Sequence, residues 1–234
     1  MVANSSWKTI LCKRSNLDLD TVLSCGQSFT WKKAANGVWS NVIRRQLYSL
    51  YQSPECIWWC TGSHDDFIYD EKNSSEYDAN SGKGVLLTDP ANETTLESEN
   101  SIADMGEKES DADDKDFAFK ESEQVLRKYL ALDIDLESLY ARWSDADPHF
   151  AKIAKSFVGI RMLQQDPTEN LFSFICSSNN HISRIGSMVH KLSTNFGEKV
   201  GSVYGTDFHV FPQPKQLSGP DVEGKLRALG FGYR

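Results

Sequence analysis

Residues able to do chemistry fall into a few short groups along this chain of 234 residues. Cys56, Cys60 and His64 follow one another at intervals of four, which could tempt a zinc reading. The segment between them, Ile57-Trp58-Trp59, reads as strand, and no second ligand pair exists to close a tetrahedral site, so no metal is expected. Ser81-Gly82-Lys83-Gly84 carries glycines and a lysine without the spacing of a phosphate loop. No serine sits in a nucleophile elbow. What remains are groups that hydrogen-bond and stack: Ser177-Ser178-Asn179-Asn180-His181, then Arg184, and Tyr233-Arg234 at the far end. Taken singly, Asn179-Asn180 reads as a helix cap, Arg184 as a solvated charge and Tyr233 as the edge of a core. Gly26 alone reads as a turn before a strand.

The elements that must position these groups come in two kinds. From Gln27 to Lys33 the chain alternates, with Phe29 and Trp31 assigned to one face of a strand. Asn36-Gly37 then separates it from a long run, Val38 to Tyr51, a strong hairpin signal that predicts a type I′ turn. A further strand is expected at Ile57 to Thr61, making an antiparallel sheet of at least three strands. From Phe117 onward the period becomes helical. Leu136, Leu139, Tyr140 and Trp143 form one stripe; Phe150, Ile153, Ala154 and Phe157 form another after Asp147-Pro148. Aspartate accepts orphan amides and proline at the first helical position loses no needed donor, so both Asp-Pro pairs predict helix starts. At Asp166-Pro167, Glu169 adds the third-position acid of a capping box. Ile185, Met188, Val189, Leu192 and Phe196 predict a helix ended by Gly197, and a last helix is expected from near Pro220 to Gly230.

Charge is unevenly spread. Residues 61–120 hold 17 Asp and Glu against 5 Lys, which leaves 20 basic against 16 acidic residues elsewhere. The net of -8 therefore hides a mildly basic body, compatible with nucleic acid without demanding it. Residues 62–116 are expected to be an acidic, mostly disordered insertion, with only scattered apolar positions such as Val85-Leu86-Leu87. At 39% hydrophobic and 11% aromatic, the chain as a whole can bury a core. No apolar run approaches the ~18 residues that span a bilayer, and the start lacks an apolar signal core. Five cysteines without framework spacing suit reduced thiols.

Three segments together carry a family resemblance. They are Gly26-Gln27-Ser28-Phe29-Thr30-Trp31; Gln165-Asp166-Pro167 followed by Leu171 through Asn180; and Leu229-Gly230-Phe231-Gly232-Tyr233-Arg234. In order and spacing they resemble the eukaryotic 8-oxoguanine DNA glycosylases with lyase activity, of the helix-hairpin-helix superfamily. The resemblance implies an α+β fold: an amino-terminal antiparallel twisted sheet with helices (TBP-like), followed by the start of an all-helical glycosylase domain. It implies a boundary near residue 165, with 1–165 as the amino-terminal domain and 166–234 as the beginning of the helical one.

The resemblance also implies roles. The lesion differs from guanine by a proton at N7, so a reader needs an acceptor there; the family uses the carbonyl of the glycine matching Gly26. A flipped-out base leaves a hole to be held open. By motif match Asn179 would fill it, Tyr233 would wedge beside the orphaned base, and Arg184 with Arg234 would hydrogen-bond the estranged cytosine. His181 stands where the family commonly has a third asparagine. The implied partner is double-stranded DNA holding 8-oxoguanine, read by a monomer in the nucleus or mitochondrion with no cofactor and no membrane. The family's nucleophilic lysine stands just after a helix-hairpin-helix turn, a later aspartate completes its site, and residues 1–234 offer no match to that turn. No catalytic residue is therefore assigned, little glycosylase activity is expected of the chain alone, and helices from Leu171 onward should lack packing partners. The rival expectation is a non-catalytic isoform that binds damaged DNA or a repair partner.

Overall fold

The structure, a computed structural model, describes residues 7–64 and 110–233, with side chains from Phe119 onward in the second stretch. Most of the acidic segment, including Ser81–Gly84 and Val85–Leu87, lies outside the described residues, as does Arg234. Strands β1 (Lys8–Leu11), β2 (Lys32–Lys33), β3 (Trp39–Ile43), β4 (Gln46–Gln52) and β5 (Cys56–Thr61) form one antiparallel sheet in the order β1-β5-β4-β3-β2. Alternation along these strands sorts side chains between two faces. Trp39, Ile43, Tyr48, Leu50, Ile57 and Trp59 join one core. Helix α1 (Leu19–Ser24) and helix α2 (Ser110–Tyr129) contribute Leu19, Val22, Leu23, Leu126 and Tyr129 to that same core. Trp59 and Tyr48 are fully buried at its centre, with rings 6.4 Å apart. The other face of the sheet is covered too. Val42 and Leu47 pack there against Val203 and Phe208.

Two turns differ from expectation. At Asn36-Gly37 only Gly37 has positive φ, +85°, and its amide donates to Ala34 O at 3.0 Å. That is a wider turn closed by a left-handed glycine, the G1-bulge solution, and not type I′. The two-residue turn with positive φ at both positions is Arg44-Arg45, φ +48° and +67°, joining paired Ile43 and Gln46. Here strand pairing on both sides imposes a conformation that arginine disfavours.

Gln27 to Trp31 is not strand; only Lys32–Lys33 pairs. The reason is that its groups are used elsewhere. Trp31 enters the sheet core, where its Nε1 donates to Tyr129 Oη at 3.0 Å, whereas Phe29 packs into a second core. The two aromatic rings thus serve different cores instead of one face.

Helices α3 (Leu136–Ala146), α4 (Pro148–Ala154), α5 (Pro167–Ser177), α6 (Ile182–Phe196) and α7 (Val222–Ala228) follow. Asp147 accepts from His149 N at 2.8 Å, and Asp166 from Thr168 N at 2.8 Å and Glu169 N at 3.2 Å, so both Asp-Pro starts form. Glu169 does not reach back to complete a capping box; its Oε1 accepts from Thr30 Oγ1 at 2.9 Å instead. Phe157 falls beyond the end of α4 and is exposed. Helix α6 buries the predicted stripe Ile185, Met188, Val189 and Leu192 against Cys176 of α5 and Phe231. Between α6 and α7 stands an element that helical periodicity did not predict, the hairpin β6 (Lys199–Val203) and β7 (Thr206–His209).

Candidate functional site

The α5–α6 turn is where the polar groups gather. Helix α5 ends at Ser177, and Asn179 then takes φ +48°, a left-handed position that asparagine tolerates better than most residues. The reversal brings α6 back alongside α5. Asn180 folds inward: its Nδ2 donates to Cys176 O at 3.0 Å and lies 3.3 Å from Met188 Sδ. Asn180 thereby ties the turn to both helices and leaves Asn179 on the exposed crest. His181 occupies the N-cap position of α6, its Nδ1 2.9 Å from Ser183 Oγ. Arg184, in the first turn of α6, is exposed, and no carboxylate among the described residues forms an ion pair with it.

Tyr233 comes to the same place from the other end of the chain. Phe231 is buried in the α5–α6–α7 core, and glycines on either side take φ +88° and +67° to turn the chain outward. Tyr233 is 74% exposed, with its hydroxyl donating to Ser178 O at 3.4 Å. A large aromatic ring exposed at the surface and anchored by its polar tip is of the kind that stacks on planar ligands.

Gly26 approaches from the sheet side. It follows α1 with φ +91°, and a Cβ built there would sit 3.3 Å from Ile182 Cδ1 at the start of α6. Both the conformation and the close approach favour glycine. Gln27 then makes three hydrogen bonds to one extended segment: Nε2 donates to Arg161 O at 2.8 Å, Oε1 accepts from Leu163 N at 2.9 Å, and its carbonyl accepts from Gln165 Nε2 at 2.5 Å. Arg161 is itself buried and donates to Asn16 O and Ala131 O. Burial draws its pKa down from the ordinary guanidinium range, but carbonyl acceptors satisfy the charge.

The structure therefore gathers Gly26, Asn179, Arg184 and Tyr233 around one helix turn, from parts of the chain more than a hundred residues apart. Arg234 lies outside the described residues. What sequence reading missed is the supporting frame of Gln27, Arg161, Gln165 and Asn180. Its one sequence signal was that three glutamines and asparagines fell inside the motif segments without an assigned task.

A separate cleft of about 420 Å³ opens toward the N-terminal end of α5, with Arg44, Lys128, Tyr129, Gln165 and Glu169 among its walls. Burial pushes the Glu169 carboxyl up to about 7, with nearby Asp166 adding to the shift and the Thr30 hydroxyl opposing it. No group of three or more His, Cys, Asp or Glu able to hold a metal occurs among the described residues. All five cysteines are free thiols.

Comparison with known proteins bears on what this geometry serves. The N-glycosylase/DNA lyase of Saccharomyces cerevisiae is 47% identical over 110 residues, covering 47% of this chain and 29% of the yeast protein. The N-glycosylase/DNA lyase OGG1 of Arabidopsis thaliana is 42% identical over 115 residues, covering 49% of this chain and 31% of the plant protein. Each match thus spans about a third of the relative's length or less. The Clostridium acetobutylicum 8-oxoguanine glycosylase/lyase, solved with double-stranded DNA containing cytosine opposite 8-oxoguanine, shares the fold with TM-score 0.62 at 21% identity. That match covers 93% of this chain and 55% of the bacterial one. The family model for the N-terminal domain of 8-oxoguanine DNA glycosylase matches residues 9–171, and the chain belongs to that family.

Proposed function

We propose that this chain supplies the lesion-reading and strand-holding part of a base-excision repair glycosylase and lyase acting on 8-oxoguanine opposite cytosine in duplex DNA. The observation that carries the reading is the convergence on the α5–α6 turn. Asn179 stands on its crest, Tyr233 is seated against Ser178, Arg184 is exposed on the first turn of α6, and Gly26 packs on Ile182. In this reading the Gly26 carbonyl accepts from the N7 proton that marks the lesion. Guanine presents a lone pair at that place, and two facing acceptors cost roughly 1–3 kcal/mol once buried. Asn179 fills the space the flipped base leaves, Tyr233 replaces its lost stacking, and the guanidiniums of Arg184 and Arg234 donate to the acceptors of the orphaned cytosine. The protein would act in the nucleus or the mitochondrion, where its duplex is held.

Bond cleavage needs an amine nucleophile attacking C1′ of the sugar, and none of these residues is one. Gly26, Asn179, Arg184, Tyr233 and Arg234 are accordingly assigned recognition and no covalent step. The test is borohydride trapping of the 234-residue chain on a duplex with 8-oxoguanine opposite cytosine, run beside a competition binding assay. Binding that prefers the lesion duplex without a trapped complex is expected. A trapped complex would show that a lysine of this chain is the nucleophile and overturn the division of labour; equal affinity for damaged and undamaged duplex would overturn the recognition role.

A further inference from the structure

Gln27 makes its three hydrogen bonds to a segment 134 to 138 positions away, and they differ in kind from ordinary loop contacts. Its side-chain amide uses donor and acceptor together on residues 161 and 163, the edge that a neighbouring strand would use in a sheet. Its own carbonyl is held by Gln165. The receiving segment is in turn immobilised: Gln164 N donates to Tyr129 O at 2.8 Å, Gly159 O accepts from Asp18 N at 2.9 Å, and Arg161 binds Asn16 and Ala131. On the opposite side Ile182 stands 3.3 Å from the position a Cβ of Gly26 would take. The peptide joining Gly26 to Gln27 is thus held between a bolted side chain and a helix that carries the other site residues.

We propose that Gln27 is a positioning residue for lesion discrimination: its amide clamp on residues 161–163 aims the Gly26 carbonyl. This rests on the recognition reading above. A hydrogen bond loses strength steeply with misalignment, so an acceptor that must tell an N–H from a lone pair is only as selective as its peptide plane is fixed. With φ +91° and no side chain of its own, Gly26 has little local means of fixing that plane. The neighbouring side chain provides it. Gln27 touches the protein and not the base, and its effect is confined to preference between duplexes.

The test measures competition binding of the 234-residue chain to duplexes holding 8-oxoguanine or guanine opposite cytosine. It uses wild type, Gln27→Ala and Gln27→Glu, with thermal unfolding of each. Gln27→Ala should lower the preference for the lesion on the order of ten- to a hundredfold while affinity for undamaged duplex is retained. Gln27→Glu keeps an acceptor for Leu163 N but loses the donor to Arg161 O. Protonation restores that donor, so its lesion preference should recover as pH falls toward about 5. A general structural role would instead lower the unfolding midpoint and the affinity for both duplexes together. Full preference in Gln27→Ala would overturn the proposal, as would parallel loss of affinity for both duplexes. No preference in wild type would instead overturn the recognition reading and this proposal with it.

Discussion

Tyr233 shows how much a single side chain is asked to do. At 74% exposed it contributes little burial energy to the fold, and its hydroxyl holds it against Ser178 at 3.4 Å. A stacking wedge is worth about 1–3 kcal/mol per base in comparable sites. Tyr233→Ala is therefore expected to weaken binding to the lesion duplex by about that amount in a gel-shift titration, with the unfolding midpoint nearly unchanged. Undiminished binding would remove the wedge role. Asn179 belongs to the same scale. Its left-handed backbone exposes it, whereas Asn180 beside it turns inward to Cys176 and Met188, so two identical neighbours have opposite tasks.

At the scale of elements, α5 joins the two halves of the molecule. Its N-terminal turn carries Glu169, which accepts from Thr30 Oγ1, itself the acceptor of Asn41 Nδ2 at 2.9 Å. Sheet and helix are linked through that short chain of bonds. Burial raises the Glu169 carboxyl from an ordinary 4.5 to about 7, so the fold favours the neutral form. The sign follows: its stabilising contribution is complete below about pH 4.5 and is lost as pH rises through about 7. Glu169→Gln keeps an acceptor for Thr30 and cannot ionise. Urea unfolding should find the variant more stable than wild type at pH 8, on the order of 1–3 kcal/mol, and nearly equal to it at pH 4. A difference independent of pH would exclude the carboxyl as its source.

Over the whole molecule, two cores share the load unequally. The sheet core holds fully buried Trp59, Tyr48 and Leu50, while the α5–α6–α7 core is smaller and one side of α5 is open to solvent. Leu171, Phe174 and Ile175 of α5 and Ile182 of α6 are each more than 40% exposed. Two phenylalanines test the contrast. Phe231→Ala, at a residue 3% exposed, should cost about 3–5 kcal/mol in denaturant unfolding. Phe174→Ala, at 74% exposed, should cost under about 0.5 kcal/mol. Comparable losses would mean that Phe174 is covered in solution.

Sequence alone determined the features that depend on neighbours a few positions apart. Helical stripes such as Ile185-Met188-Val189-Leu192, the two Asp-Pro starts and the strand at Cys56–Thr61 all follow from local periodicity and capping. The motif residues could likewise be named in advance, because their types and order are linear information. Tertiary structure decided what depends on partners far along the chain. The expected strand at Gln27–Lys33 gave way because Gln27 bonds to residues 161–165 and Phe29 and Trp31 enter different cores. The type I′ turn formed at Arg44-Arg45 because strand register, and not the best turn sequence, determined which two residues had to reverse. Gly26 meets Ile182, and Tyr233 meets Ser178, only once helix and sheet have packed. Short-range patterns report which face of an element is apolar; which distant polar group satisfies which is settled by burial in three dimensions.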